Sequence, residues 1–194
     1  MLRALCARTG VTSAVSDELD RRGLVLTIPG SLLAPLRPGR TIGGRTVTLR
    51  YLPARTTALQ AIADGSALMA HRILFDLAGE GDVALIVGPL GAPASLMGGE
   101  AAIAAQRAGV AACLLAGDVR DVDEILATGL PVWCGGRTPA TGRYRIEAAE
   151  INGPVEVAGI QVRAGDVAIA DDTGVAFIPG DLFPDIARAV IGGG

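Results

Sequence analysis

Arg120 and Asp121 form the adjacent pair in this sequence best suited to chemistry on a small anion. A guanidinium can clamp a carboxylate through two parallel hydrogen bonds. A carboxylate beside it can hold a hard cation such as Mg²⁺. The apolar run from Val110 to Ala116 precedes the pair and breaks at Gly117; Asp123 and Glu124 follow it. The run reads as a buried strand, and the acids favour the start of a helix. The pair then sits at the carboxyl end of a strand, where open α/β folds bind their ligands. A small anionic substrate that chelates a metal fits such a site.

The remaining composition narrows the reaction. All 17 basic residues are Arg, and no Lys is present. A lysine Schiff base, a pyridoxal-phosphate enzyme and a P-loop are therefore excluded. His71 is the one histidine, and Cys6, Cys113 and Cys134 are too widely spaced for a typical structural zinc site. Carboxylates, carbonyls and water remain as metal ligands, which selects Mg²⁺ or Mn²⁺. The odd number of cysteines and the apolar neighbours of Cys113 point to free thiols in a reducing compartment. A net charge of −3 gives no electrostatic case for nucleic-acid binding. No apolar stretch approaches the ~18 residues of a membrane span. Met1 to Arg8 is mildly basic, with an apolar part too short for a signal peptide, so a cytoplasmic protein is expected.

The elements that must position the pair can be read from periodicity. Thr12 to Gly23 reads as a helix capped by Thr12 or Ser13 and ended by Gly23. Residues 29 to 44, rich in Pro and Gly, read as loop. Thr46 to Tyr51 alternates as a half-buried strand does. A helix is expected over Ala67 to Ala78, a turn at Gly81-Asp82 and a buried strand over Val83 to Val87. Gly98-Gly99 opens a small-residue helix to about Ala108. A short helix to Ala127 and a strand over Leu130 to Cys134 follow the Arg-Asp turn. The backbone N–H groups of Gly99, Glu100 and Ala101 can receive a carboxylate at the helix start. The alternation from 83 to 134 predicts parallel strands. From Gly153 on, glycines punctuate short Val/Ile-rich runs, which predicts β-strands in a second layer and then a last helix from Asp181. The expectation is an α/β fold in one domain, residues 1–194 with a core over about 12–190, having a parallel α/β half and a β-rich C-terminal half. Asp171-Asp172 reads as a hairpin turn, Asp17 as exposed, His71 as a packing or surface residue, and Trp133 and Cys134 as core.

Several segments, taken in order, resemble the RraA-like family, which joins regulators of ribonuclease activity to metal-dependent 4-hydroxy-4-methyl-2-oxoglutarate aldolases. They are Val15-Ser-Asp-Glu-Leu-Asp-Arg-Arg-Gly23, Gly81-Asp-Val83, Gly109-Val110, Gly117-Asp-Val-Arg-Asp121, Leu130-Pro-Val132 and Gly165 to Val175. The resemblance implies a swivelling β/β/α fold and an assembly as a homotrimer or dimer of trimers. By resemblance Arg120 binds the pyruvate part of a small 2-oxo acid, and Asp121 holds Mg²⁺ or Mn²⁺ largely through water, with Glu100 or Glu124 helping through water. The implied reaction is retro-aldol cleavage of a 4-hydroxy-2-oxo acid or decarboxylation of oxaloacetate, releasing pyruvate. Asp121 favours this over the alternative, a non-enzymatic protein-binding regulator similar to the ribonuclease inhibitors. One departure stands out. The aldolases carry an acid where this chain has Gly99, and Glu100 comes one place later, a step that turns a side chain by ~100° on a helix.

Overall fold

The chain was analysed as a computed structural model that describes residues 1–64 and 69–193. In chain order the elements begin with α1 (Leu2–Cys6), α2 (Val11–Asp20), β1 (Thr27–Pro29), β2 (Ala34–Pro35) and β3 (Ile42–Pro53). Next come α3 (Ala58–Ala63), α4 (His71–Leu77), β4 (Val83–Val87), β5 (Ser95–Met97), α5 (Gly99–Arg107), β6 (Ala112–Val119), α6 (Val122–Thr128) and β7 (Val132–Arg137). The last part holds β8 (Ile146–Ile151), β9 (Val155–Val157), β10 (Ile160–Val162), β11 (Val167–Asp171), β12 (Gly174–Ile178) and α7 (Phe183–Gly192).

The centre of the fold is four parallel neighbours in the order β3-β4-β6-β7. All five residues of β4 are buried, which is why its sequence is a continuous apolar run. Its side chains divide by the two-residue period of a strand. Ala84 and Ile86 join Leu74, Phe75, Ala102, Ala105 and Ile125 of the helices on one face. Val83, Leu85 and Val87 join Val155, Val162, Ala170 and Phe177 on the other. The second layer is therefore the β-rich C-terminal part. The far face of β11 and β12 packs through Ile169 and Ile178 on Val15 and Leu19 of α2 and Ile186 of α7. The result is the mixed α/β architecture expected from the sequence, with a parallel half and a β-rich half.

Strand β3 joins the two halves. Ile42–Arg45 pairs antiparallel with β11, and Thr46–Arg50 pairs parallel with β4. This corrects the reading of residues 29 to 44 as loop. Gly43 and Gly44 lie inside a strand because the packing is too close for a side chain: a Cβ at Gly43 would come 2.7 Å from Cys6 Sγ and 2.8 Å from Ile169 Cδ1. Pro35 sits in β2, an edge strand whose pairing is with β7, where a missing N–H is tolerated.

Other boundaries also move. Helix α2 is entered through Gly10 in a left-handed conformation, and no side chain caps it. Thr12 turns inward instead, its hydroxyl 2.7 Å from the Asp171 carboxylate. Helix α4 begins at His71; Ala67 and Leu68 of the expected helix lie outside the described residues. Strand β6 runs through Gly117 to Val119 rather than breaking there, with its pairing to β7 shifting between Leu115 and Asp118. Strand β7 extends to Arg137. The last helix starts two residues later than expected, at Phe183.

Candidate functional site

Two strand-to-helix turns meet at the carboxyl end of the parallel sheet. Strand β5 passes through Met97 and Gly98 into α5, and β6 passes through Arg120 and Asp121 into α6. The strands pair in parallel through Ser95–Asp118 and Met97–Val119, and Arg120 N donates to Met97 O at 3.0 Å. Leu96 wedges between the ends of β4 and β6, where a Cβ on Gly88 or Gly117 would come within 2.5 or 2.7 Å of its methyl groups. Both glycines are thus needed to seat β5, and β5 sets the height of the two turns.

The side chains at the turns touch. Arg120 Nε lies 3.1 Å from Asp121 Oδ2, with both groups partly exposed at 40% and 33%. Gly99 N donates to the same oxygen at 3.4 Å. Asp121 adopts φ 52° and ψ 45°, an uncommon left-handed conformation for a residue with a side chain. It stands at the cap position of α6 but makes no side-chain cap bond to that helix. Its carboxylate faces the start of α5 instead, where the helix dipole favours negative charge. A simple capping ion pair does not account for this arrangement.

Gly98 and Gly99 permit the approach. A Cβ on Gly98 would lie 2.5 Å from Asp121 Oδ2 and 3.1 Å from Arg120 Nε. A Cβ on Gly99 would collide with the Glu124 carboxylate and come 2.7 Å from Glu124 Cβ. Glu124 therefore fills the space behind Gly99 that an acid at that position would need. Glu100, one residue on, lines the cleft along with Gly98, Ala101, Arg120 and Asp121. The structure thus gathers the sequence candidates at one place, with Gly99 buried and Glu124 behind it.

The cleft has a volume of about 890 Å³, within the usual range for small-molecule sites. Sequence reasoning missed several of its walls. Arg72, Arg107, Arg143 and Tyr144 line it. The only signal for Arg143-Tyr144 was an aromatic between cations in a Pro/Gly-containing turn. His71 also lines the cleft, yet it is only 9% exposed. Ala70 N donates to Tyr51 Oη at 3.1 Å, and that hydroxyl makes a long 3.5 Å contact with His71 Nε2. His71 also donates to the Leu96 carbonyl. Burial pushes its imidazole down to about 4, against the smaller opposing effect of that bond. Burial likewise pushes the Tyr51 phenol up to about 12. His71 is a neutral strut supporting β5, in line with its reading as a packing residue.

The Asp171-Asp172 turn lies elsewhere. Asp171 accepts from Thr173 N at 2.8 Å and ties the β11–β12 hairpin to Thr12, and Trp133 Nε1 donates to Asp171 O at 2.9 Å. Cys6, Cys113 and Cys134 are free, and Cys113 and Cys134 are buried. Among the described residues no group of three or more His, Cys, Asp or Glu could hold a metal ion, and no helix is long and apolar enough to cross a membrane.

A cleft lined by arginines and carboxylates at the strand-end turns of a mixed α/β sheet sets the architecture of the protein. The family follows from comparison: a model described as Aldolase/RraA matches residues 12–177, and the chain belongs to this RraA-like family. "Protein DlpA" of Legionella pneumophila is 29% identical over 184 residues, covering 93% of this chain and 28% of that relative, so the chain spans less than a third of its length. A Halalkalibacterium halodurans protein named "Putative 4-hydroxy-4-methyl-2-oxoglutarate aldolase" is 29% identical over 172 residues, covering 89% of this chain and 74% of the relative. The crystal structure of Streptomyces coelicolor RraAS2, described as an unusual member of the RNase ES inhibitor RraA protein family, superposes with a TM-score of 0.82 at 23% identity, covering 99% of this chain and 90% of that one. At that identity the likeness speaks for the fold.

Proposed function

We propose that this protein is a divalent-metal-dependent lyase that releases pyruvate from small 2-oxo acids. Its reactions are retro-aldol cleavage of a 4-hydroxy-2-oxo acid, such as 4-hydroxy-4-methyl-2-oxoglutarate, and decarboxylation of oxaloacetate. The observation that carries the reading is the Asp121 carboxylate, turned from its own helix and held by Arg120 Nε and Gly99 N on the cleft wall. The name of the Halalkalibacterium halodurans relative points the same way.

The donors fit Mg²⁺ or Mn²⁺. The cleft offers the carboxylates of Asp121 and Glu100, and its single imidazole is taken up in structural contacts. One or two carboxylates completed by water suit Mg²⁺, which dehydrates reluctantly. When bound, the cation supplies Lewis-acid polarisation of the 2-oxo group. Arg120 grips the substrate carboxylate and fixes the bond to be broken relative to the oxo group. In either reaction the electron pair of the broken carbon–carbon bond passes to C3 and is delocalised onto the 2-oxo oxygen as an enolate beside the fixed positive charge of Arg120; retro-aldol cleavage also gives up the 4-hydroxyl proton to water, and a proton from water adds to C3 to complete pyruvate. With no lysine in the chain, this chemistry proceeds without a Schiff base on a lysine.

Pyruvate release from oxaloacetate, corrected for the metal-only rate, tests the reading. EDTA should abolish the enzyme-dependent rate, and Mg²⁺ or Mn²⁺ should restore it. Full activity in metal-free buffer contradicts metal dependence. No release from either substrate favours the regulator instead. The working assembly we propose is a homotrimer or dimer of trimers.

A further inference from the structure

Among the described residues the buried polar side chains are Thr12, Glu18, Thr46, Thr48, His71, Asp171 and Ser95. All but Ser95 are bonded within the fold. Ser95 begins β5, is only 3% exposed and lines the cleft, and its hydroxyl has no hydrogen-bond partner among the described residues. Nor is any side-chain oxygen or nitrogen there both sealed from solvent and unbonded, so this hydroxyl opens on the cleft. Leu96 turns the other way, toward Gly88 and Gly117. A nearly buried hydroxyl kept without a partner calls for a reason, and a ligand that pairs with it supplies one.

The hydroxyl is held in place. Ser95 N donates to Ala140 O at 2.9 Å, and a Cβ on Gly142 would collide with Ser95 O. The strand register sets its distance from the substrate clamp. Ser95 pairs with Asp118 of β6, two residues before Arg120. Neighbouring strands lie about 4.8 Å apart and rise about 3.3 Å per residue, so the Cα atoms of Ser95 and Arg120 are roughly 8 Å apart. A hydroxyl on the fourth carbon of an acid gripped at its first carbon spans the gap between the two side chains. His71, the imidazole of the cleft, is engaged by Leu96 O and Tyr51 Oη. A serine hydroxyl accepts one hydrogen bond while donating another.

We infer that Ser95 is a further catalytic residue of retro-aldol cleavage, its hydroxyl accepting the hydrogen bond of the substrate 4-hydroxyl and relaying that proton to water. The inference rests on the lyase reading. As the C3–C4 bond breaks, its electron pair enters the enolate, and the pair of the 4-hydroxyl O–H bond forms the new carbonyl at C4. The 4-hydroxyl proton passes to Ser95 Oγ while the proton of Oγ passes to water, which leaves Ser95 as it began. Oxaloacetate has no 4-hydroxyl, and its decarboxylation has no use for the relay.

The test is a ratio: kcat/KM for cleavage of 4-hydroxy-4-methyl-2-oxoglutarate over kcat/KM for decarboxylation of oxaloacetate, both with Mg²⁺. A loss of packing lowers both rates together and cancels. In Ser95→Ala the ratio should fall at least about tenfold, with the loss in kcat for cleavage. Ser95→Thr keeps the hydroxyl and should retain most of the ratio. An unchanged ratio in Ser95→Ala, a fall carried by KM alone, or the same fall in both variants overturns the relay and leaves the lyase reading standing. Release of pyruvate from oxaloacetate alone by the unaltered protein overturns the relay and confines the lyase reading to decarboxylation. Release from neither substrate overturns both.

Discussion

At the scale of single residues, the account depends on what two side chains can do that close substitutes cannot. Arg120→Lys keeps the charge but loses the planar fork. We expect kcat/KM to fall at least tenfold, or about 1.4 kcal/mol; near-normal kinetics would make Arg120 structural. His71 carries a separate prediction. Its folded-state value of about 4 lies below the ordinary 6.5. The unfolded chain therefore takes up the proton first as pH falls. The neutral strut contributes its full stability above about pH 6.5 and loses it as pH drops toward 4, a change of about 3 kcal/mol. Urea unfolding at pH 7 and pH 4.5 checks this by comparison with His71→Gln, which should lose less stability between the two conditions. Equal losses would contradict it.

At the scale of elements, two turns must approach closely enough for Gly99 N and Arg120 Nε to share one carboxylate oxygen. Gly98 has φ −136°, which any residue can adopt, so Gly98→Ala strains only the approach to Asp121 and Arg120. Its melting temperature should stay within a few degrees of the unaltered protein's, while kcat/KM drops by about tenfold or more. Unchanged kinetics would show that the closeness does not matter. The Arg120-Asp121 turn was legible because an apolar run, a charged pair and a helix-starting acid follow one another. Strand β4 was legible because both its faces are covered. Strand β5 was not, since three residues between prolines and glycines carry no period. Gly43 and Gly44 suggested a loop because close packing and a turn both select glycine. Arg143 looked like one more surface charge in a chain whose every basic residue is Arg; only the path of the loop brings it to the cleft.

At the scale of the molecule, the sheet's β-rich part covers one face of the parallel strands and helices cover the other, and the cleft opens at the strand ends. Apolar side chains nevertheless remain outside. Leu59 and Ile62 on α3 and Ile73 and Leu77 on α4 are more than half exposed, and Ile103, also exposed, reaches the cleft itself. Exposed apolar side chains of this kind suit a partner surface, and closed symmetry would repeat such a contact around a ring. Light scattering should give a mass three or six times the 19.6 kDa of the chain, and Ile73→Glu should yield smaller species with reduced activity. A fully active monomer would contradict the proposed assembly. The central claim, that Asp121 is the residue through which a divalent cation acts, has a direct measurement. It is the rate of pyruvate release from oxaloacetate as Mg²⁺ is titrated, for the unaltered protein and for Asp121→Asn. We predict a saturable metal dependence in the first and a loss of about a hundredfold or more in the second at every Mg²⁺ concentration. An Asp121→Asn protein with the same rate and the same metal dependence would contradict the account.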